Sequence, residues 1–162
     1  MIKVESILMG IFATYFMDMI GSFLVRKKII DSLVEPEIIG RWFLYLFKGK
    51  FIHEDIRRTP SVKNEKLWSF ISHYLIGIIL AGVYLFLELK VPMIRENIWI
   101  SLIFGIATVL LPWLWLFPGI GIGFFASKTA NQYRYLKTSF VNHTNFGLGM
   151  FMWVLFIHRF FF

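Results

Sequence analysis

The chain has 162 residues, of which 57% are hydrophobic, 19% aromatic and only 17% charged, with a net charge of +7. A soluble domain carries nearer ~25% charged residues, so this composition excludes a water-covered globule and points to one transmembrane domain over residues 1–162. The basic excess flanks long apolar runs instead of lining a polar face, which excludes nucleic acid and makes the lipid bilayer the partner; the lack of cysteine excludes disulfides, thiolate metal sites and thiol nucleophiles.

A bilayer core needs ~20 mostly apolar residues per helix, and four segments meet that length. The first runs from about Ser6 to Val25 and closes on Arg26, Lys27 and Lys28. It is too long for a cleaved signal core and has no small-residue cleavage pattern. The loop that follows contains PEIIGRWFLYLF from Pro36 to Phe47. That stretch is too short to span. Proline at its start and Lys48-Gly49 at its end predict a short interfacial or re-entrant helix in this loop.

The second span runs from about Leu67 to Leu89, and the third from about Ile98 to Ala126, broken by Pro112, Pro118 and Gly119. The fourth runs from about Ser139 to His158. Backbone groups in lipid must be satisfied within their own segment, so the fold class is all-α: an integral membrane bundle of four helices plus the interfacial one. Ten Lys and Arg residues lie between Arg26 and Lys66, and Lys128, Arg134 and Lys137 lie between spans three and four. Only Lys3, Lys90, Arg95 and Arg159 lie on the other side. This bias predicts cytoplasmic basic loops and both termini outside.

Ionisable residues inside spans are costly and mark functional sites by default. Asp18 lies eight residues before Arg26, His73 six after Leu67, and His143 four after Ser139. All three therefore fall in one layer, roughly 6–12 Å inside the basic boundary at ~1.5 Å per residue. Each also shares a helical face with small residues: Gly10, Thr14 and Gly21 for Asp18; Ser69, Gly77 and Ala81 for His73; Gly147 for His143. Small faces mark close helix contact. A carboxylate with two imidazoles suits a divalent metal such as zinc, manganese or iron, with His53, Glu54 or Asp55 from the loop as a further ligand. The same Asp18, His53, His73 and His143 could instead carry protons, or Asp18 could simply pair with a histidine and hold helices together.

The remaining features read as structural. Trp42, Trp68, Trp99 and Trp153 lie near interfaces, where indoles anchor. PGIGIGF at Pro118 to Phe124 lacks the lysine and strand of a phosphate loop. Arg41 is placed to snorkel or to hold a lipid phosphate, and His158 reads as incidental. The half of the spans toward the termini is mostly apolar, with Ser101 and Thr108 as exceptions, which favours a one-sided site over through-transport.

Several stretches resemble the bacterial domain-of-unknown-function 2938 family: GIFATYFMD, GRW, GKFIHEDI, SHYLIGI, LFPGIGIGFFASKT and HTNFGLGM, in that order along nearly the whole chain. The resemblance implies a multi-pass bacterial inner-membrane protein and no particular activity. Three functions stay open. One is a binding or transport-related protein with a cytoplasmic-side pocket for a metal ion, proton or small polar ligand, working as a homo-oligomer if it transports. The second is a membrane-embedded, metal-dependent enzyme acting on a lipid or small polar substrate. The third is a structural or partner-binding subunit with no ligand.

Overall fold

In a computed structural model describing residues 2–161, the chain folds into helices, with no strand among the described residues. Helix α1 is Ile2–Arg26, α2 Pro36–Leu46, α3 Glu65–Lys90, α4 Pro92–Glu96 and α5 Trp99–Ala107. Helix α6, Phe117–Ile120, continues α5 through a widened turn at Pro112–Leu116. Helix α7 is Gln132–Trp153, extended by a second wide turn at Val154–His158 and by α8, Arg159–Phe161. Four helical stretches are long and apolar enough to cross a membrane: Lys3–Arg26, Glu65–Lys90, Trp99–Ile120 and Gln132–His158. The fourth starts seven residues before the expected Ser139, because its first turns are polar but still helix-forming.

The boundaries have local causes. Helix α1 ends in a Schellman turn, with Ile29 N bonded to Leu24 O and Lys28 N to Val25 O, and Lys28 in the left-handed region at φ 59°. Pro36 opens α2, where a missing N–H costs nothing. Pro112 cannot donate to the preceding turn, and Phe117 N bonds five residues back to Pro112 O. Span three thus bends and continues instead of ending.

The spans form an arc. Helix α3 packs on α1, α1 on α7, and α7 on α5. Gly10 of α1 faces the backbone of Gly77 and Ile78, and Gly105 of α5 faces Gly147 of α7. A side chain at any of these glycines would strike the opposite helix, so the small faces read in the sequence do bring helices together. Helix α2 lies across α3 and touches α6, which closes the arc at the end bearing the basic loops. That closure depends on Arg41. Its guanidinium bonds Glu65 Oε1 at 2.7 Å and Oε2 at 3.1 Å, and the carbonyls of Thr59 and Ile56 at 2.9 and 3.2 Å.

Two apolar cores result. One, around Met9, Ala13, Tyr84, Phe146 and Met150, fills the half toward the termini. The other, around Ile38, Trp42, Ile56, Phe117 and Ile120, joins α2 to the end of span three. Outside them the apolar side chains face outward, among them Ile7, Ile11, Phe23, Ile79, Phe86, Ile103, Leu110 and Phe156. An apolar girdle on that scale suits lipid and not water.

Candidate functional site

Asp18 and His73 meet as expected. Asp18 Oδ1 lies 3.0 Å from His73 Nε2, joining α1 to α3. The pair is not sealed, since the side chains are 43% and 40% exposed. His143 does not complete this pair. Its Nδ1 lies 2.7 Å from Thr108 Oγ1, and that hydroxyl already donates to Gly105 O at 2.5 Å. A hydroxyl has one proton, so the ring must donate through Nδ1–H and keep Nε2 as an acceptor. The partner of His143 in span three is therefore Thr108.

His73 and His143 face a common cavity of about 180 Å³. Ser72, His73, Ile76, Gly77 and Leu80 form its α3 wall, and Leu111, Pro112, Trp115 and Leu116 its span-three wall. Thr14 and Met17 come from α1, His143 and Phe146 from α7, and Ile39, Trp42 and Phe43 from α2. The cavity exists because the main packing runs from α3 through α1 and α7 to α5, leaving a cleft between the two ends of the arc. At its rim, Ile76, Leu111 and Trp115 are 40%, 40% and 52% exposed, so the cleft opens sideways toward the lipid-facing surface. Trp42 forms the floor. Its indole donates to Phe51 O at 3.0 Å and meets Trp115 edge to face at 5.4 Å. The hydroxyl of Thr14 is not part of that wall: it is buried without a partner in the α1–α3 seam, against Gly77.

His53 sits elsewhere. Its backbone N–H donates to Gly119 O at 2.9 Å, its Nδ1 lies 3.0 Å from Thr59 Oγ1, and its ring packs edge-on against Tyr45. Gly121, at φ +96°, lets the span-three turn press on the backbone of His53 and Glu54. His53 is 2% exposed and does not line the cavity. Burial first, and then the charge on Lys50, push its imidazole below the ordinary value. Among the described residues, no three His, Asp or Glu side chains converge as a metal-binding group.

Other expectations need correction. Arg41 neither snorkels nor waits for a phosphate, because its donors are turned inward onto Glu65 and two carbonyls. Trp42 and Trp153 are core residues, 4% and 6% exposed, not interfacial anchors. His158 is not incidental, and the half of the bundle toward the termini is not merely apolar. His158 Nδ1 lies 2.5 Å from Glu5 Oε1, and its Nε2 lies 3.4 Å from Glu88 Oε2. The sequence signal for this group is a second shared depth, at the other end of the spans. Glu5 opens span one, Glu88 closes span two and His158 closes span four.

These features define a class: a four-helix membrane protein with a laterally open, mostly apolar cavity edged by two histidines. The chain belongs to the family described as Protein of unknown function (DUF2938), whose model matches residues 7–157. No curated protein and no solved structure matches it.

Proposed function

We propose that this protein binds the ring-sized head of a lipophilic molecule dissolved in the membrane, admitted sideways between α3 and span three. The observation that carries this reading is the cavity's composition. Its walls are apolar and aromatic, while His143 at its edge keeps a free acceptor nitrogen. An apolar cavity of about 150 Å³ accepts benzene, so about 180 Å³ suits one substituted ring. The Asp18 carboxylate fixes His73, leaving that ring's second nitrogen for a ligand. The lining moves the expected ligand from a small polar species to an amphiphile. With the basic loops placed in the cytoplasm of a bacterial inner membrane, the cavity lies on the cytoplasmic side.

A short-tailed benzoquinone added to the protein in lipid nanodiscs tests this, because Trp42 and Trp115 flank the cavity. The expected result is saturable quenching of their emission, lost when Ile76→Phe narrows the rim. Quenching that rises linearly and equally in both proteins would overturn the reading. Stoichiometric zinc, manganese or iron in purified protein, lost in a His73→Ala, His143→Ala double variant, would favour the divalent-ion site instead.

A further inference from the structure

The group at the termini end lies across the first apolar core from the cavity and is independent of it. Glu5 and Glu88 are 3% and 6% exposed, although carboxylates are almost never so buried unless paired. They reach each other's helices through one imidazole, with Nδ1 facing Glu5 and Nε2 facing Glu88. The Trp153 indole adds a long contact of 3.4 Å to Glu5 Oε1. Tyr84, 1% exposed, places a hydroxyl without a partner in the same environment as Glu88, and the Ser101 hydroxyl is turned to Ile98 O. Arg95 on α4 is exposed and acts on both Glu88 and His158 through its charge.

Counting protons decides what this arrangement requires. A neutral imidazole has one N–H, so between two carboxylates one of its nitrogens would point a lone pair at a carboxylate oxygen. Buried, that contact is repulsive and leaves an unpaired charge. One more proton removes the conflict in either of two ways. It can sit on the ring, giving two N–H donors, or on a glutamate, giving an O–H donor toward the ring. With that proton the three groups carry a net charge of −1 instead of −2.

We propose that Glu5, His158 and Glu88 form a proton-binding site that clasps the start of α1, the end of α3 and the last helical turn of the fourth span. Nitrogen-15 imidazole spectra and infrared spectra of the full chain in nanodiscs at pH 7 test it. The expected result is one of two signatures. Either both His158 nitrogens are protonated, with the signal assigned by its loss in His158→Gln, or His158 is neutral beside a carboxylic-acid band that vanishes in Glu5→Gln or Glu88→Gln. A neutral His158 with no such band in the wild type would overturn the site, and that measurement needs no variant to fold. The clasp is tested by hydrogen exchange. In His158→Phe the amides at the end of α3 should exchange at least roughly tenfold faster, and unchanged exchange would overturn it.

Discussion

At the termini end, Glu5 and Glu88 are buried, and a half-buried His158 joins them across three helices, bonded to Glu5 and 3.4 Å from Glu88. At the basic end, Asp18 and His73 are bonded too, yet about two-fifths of each side chain stays exposed and a cavity opens beside His73. Both ends place ionisable groups among apolar helices. The first uses them to finish a core, where Tyr84 and Phe104 also bring α3 and α5 together at 5.5 Å. The second leaves α3 and span three apart and bridges them with α2. Burial of a charge is therefore not by itself the mark of a ligand cavity in this fold. Unspent hydrogen-bonding capacity beside empty volume separates the two ends.

The sharpest way to break the distinction is at the seam between the ends. A side chain at Gly77 would press into Thr14 and the Gly10 carbonyl. Gly77→Leu is expected to cost more than the ~1–3 kcal/mol of ordinary overpacking, because the obstacle includes backbone. Leu80→Ala removes a partly buried side chain from the cavity wall and should cost less, on the order of 1–2 kcal/mol, below the range for a fully buried leucine. Thermal unfolding in detergent ranks them. Equal losses would mean that the α1–α3 contact does not set the geometry of either end.

The next effect concerns how the basic end is closed. Arg41→Ala leaves the Glu65 carboxylate buried without its partner and should cost about 3–5 kcal/mol. Arg41→Met with Glu65→Leu should recover most of that, since an apolar pair of similar volume avoids desolvating either charge. Unfolding midpoints give the stabilities, and Trp42 emission reports whether α2 stays docked. If the single variant loses nothing, α2 is held by its apolar face alone.

The layer at the basic end is visible in the sequence because Asp18, His73 and His143 each stand several residues inside a span, where a polar residue is conspicuous. It also showed the small faces, and Gly10 and Gly77 meet as their spacing implies. Glu5 and His158 stand at the very ends of apolar runs, and Glu88 only two residues from Lys90, where charged residues ordinarily mark a boundary. Their meeting depends on long-range packing between residues as far apart as 153 positions. The cleft was equally hidden. Four apolar helices can close into a square or stop as an arc, and only the pairing of helices decides which. His53 does not reach the cavity because its loop folds back onto the span-three turn instead of over the helices, which residue spacing does not show.

A smaller effect, confined to the basic end, comes from His53. Burial and Lys50 favour its neutral form in the fold. The unfolded chain takes up a proton near pH ~6.5, before the folded one does. Stability should therefore be complete above that pH and fall as pH drops from about 6.5 toward the depressed folded value. Stability at pH 5.5 compared with 7.5 measures it. His53→Gln should remove part of the acid loss, and an unchanged acid limb would mean that the ring is not the group responsible.

The smallest effect separates buried from exposed pairing within the same end. Arg134 makes a two-pronged contact with Asp31, as Arg41 does with Glu65, but Asp31 and Arg134 lie in water-accessible loop and helix-start positions. The guanidinium bond, outweighing the slight desolvation, holds the Asp31 carboxyl below its usual range. Any contribution is then present above the unfolded carboxylate value of ~3.9 and lost only as pH falls through the lowered folded value. Between pH 5 and 8 the pair should add no slope, and Asp31→Asn should unfold with the wild type within error. The connection also survives without it, since Lys137 bonds Ile29 O at 2.7 Å and Thr138 accepts from Asp31 N at 3.2 Å, a bond that asparagine keeps. A clear loss in Asp31→Asn at neutral pH, comparable with that of Arg41→Ala, would show that the first loop is fastened by charge throughout. Solvent exposure would then fail to explain why the two arginine pairs differ.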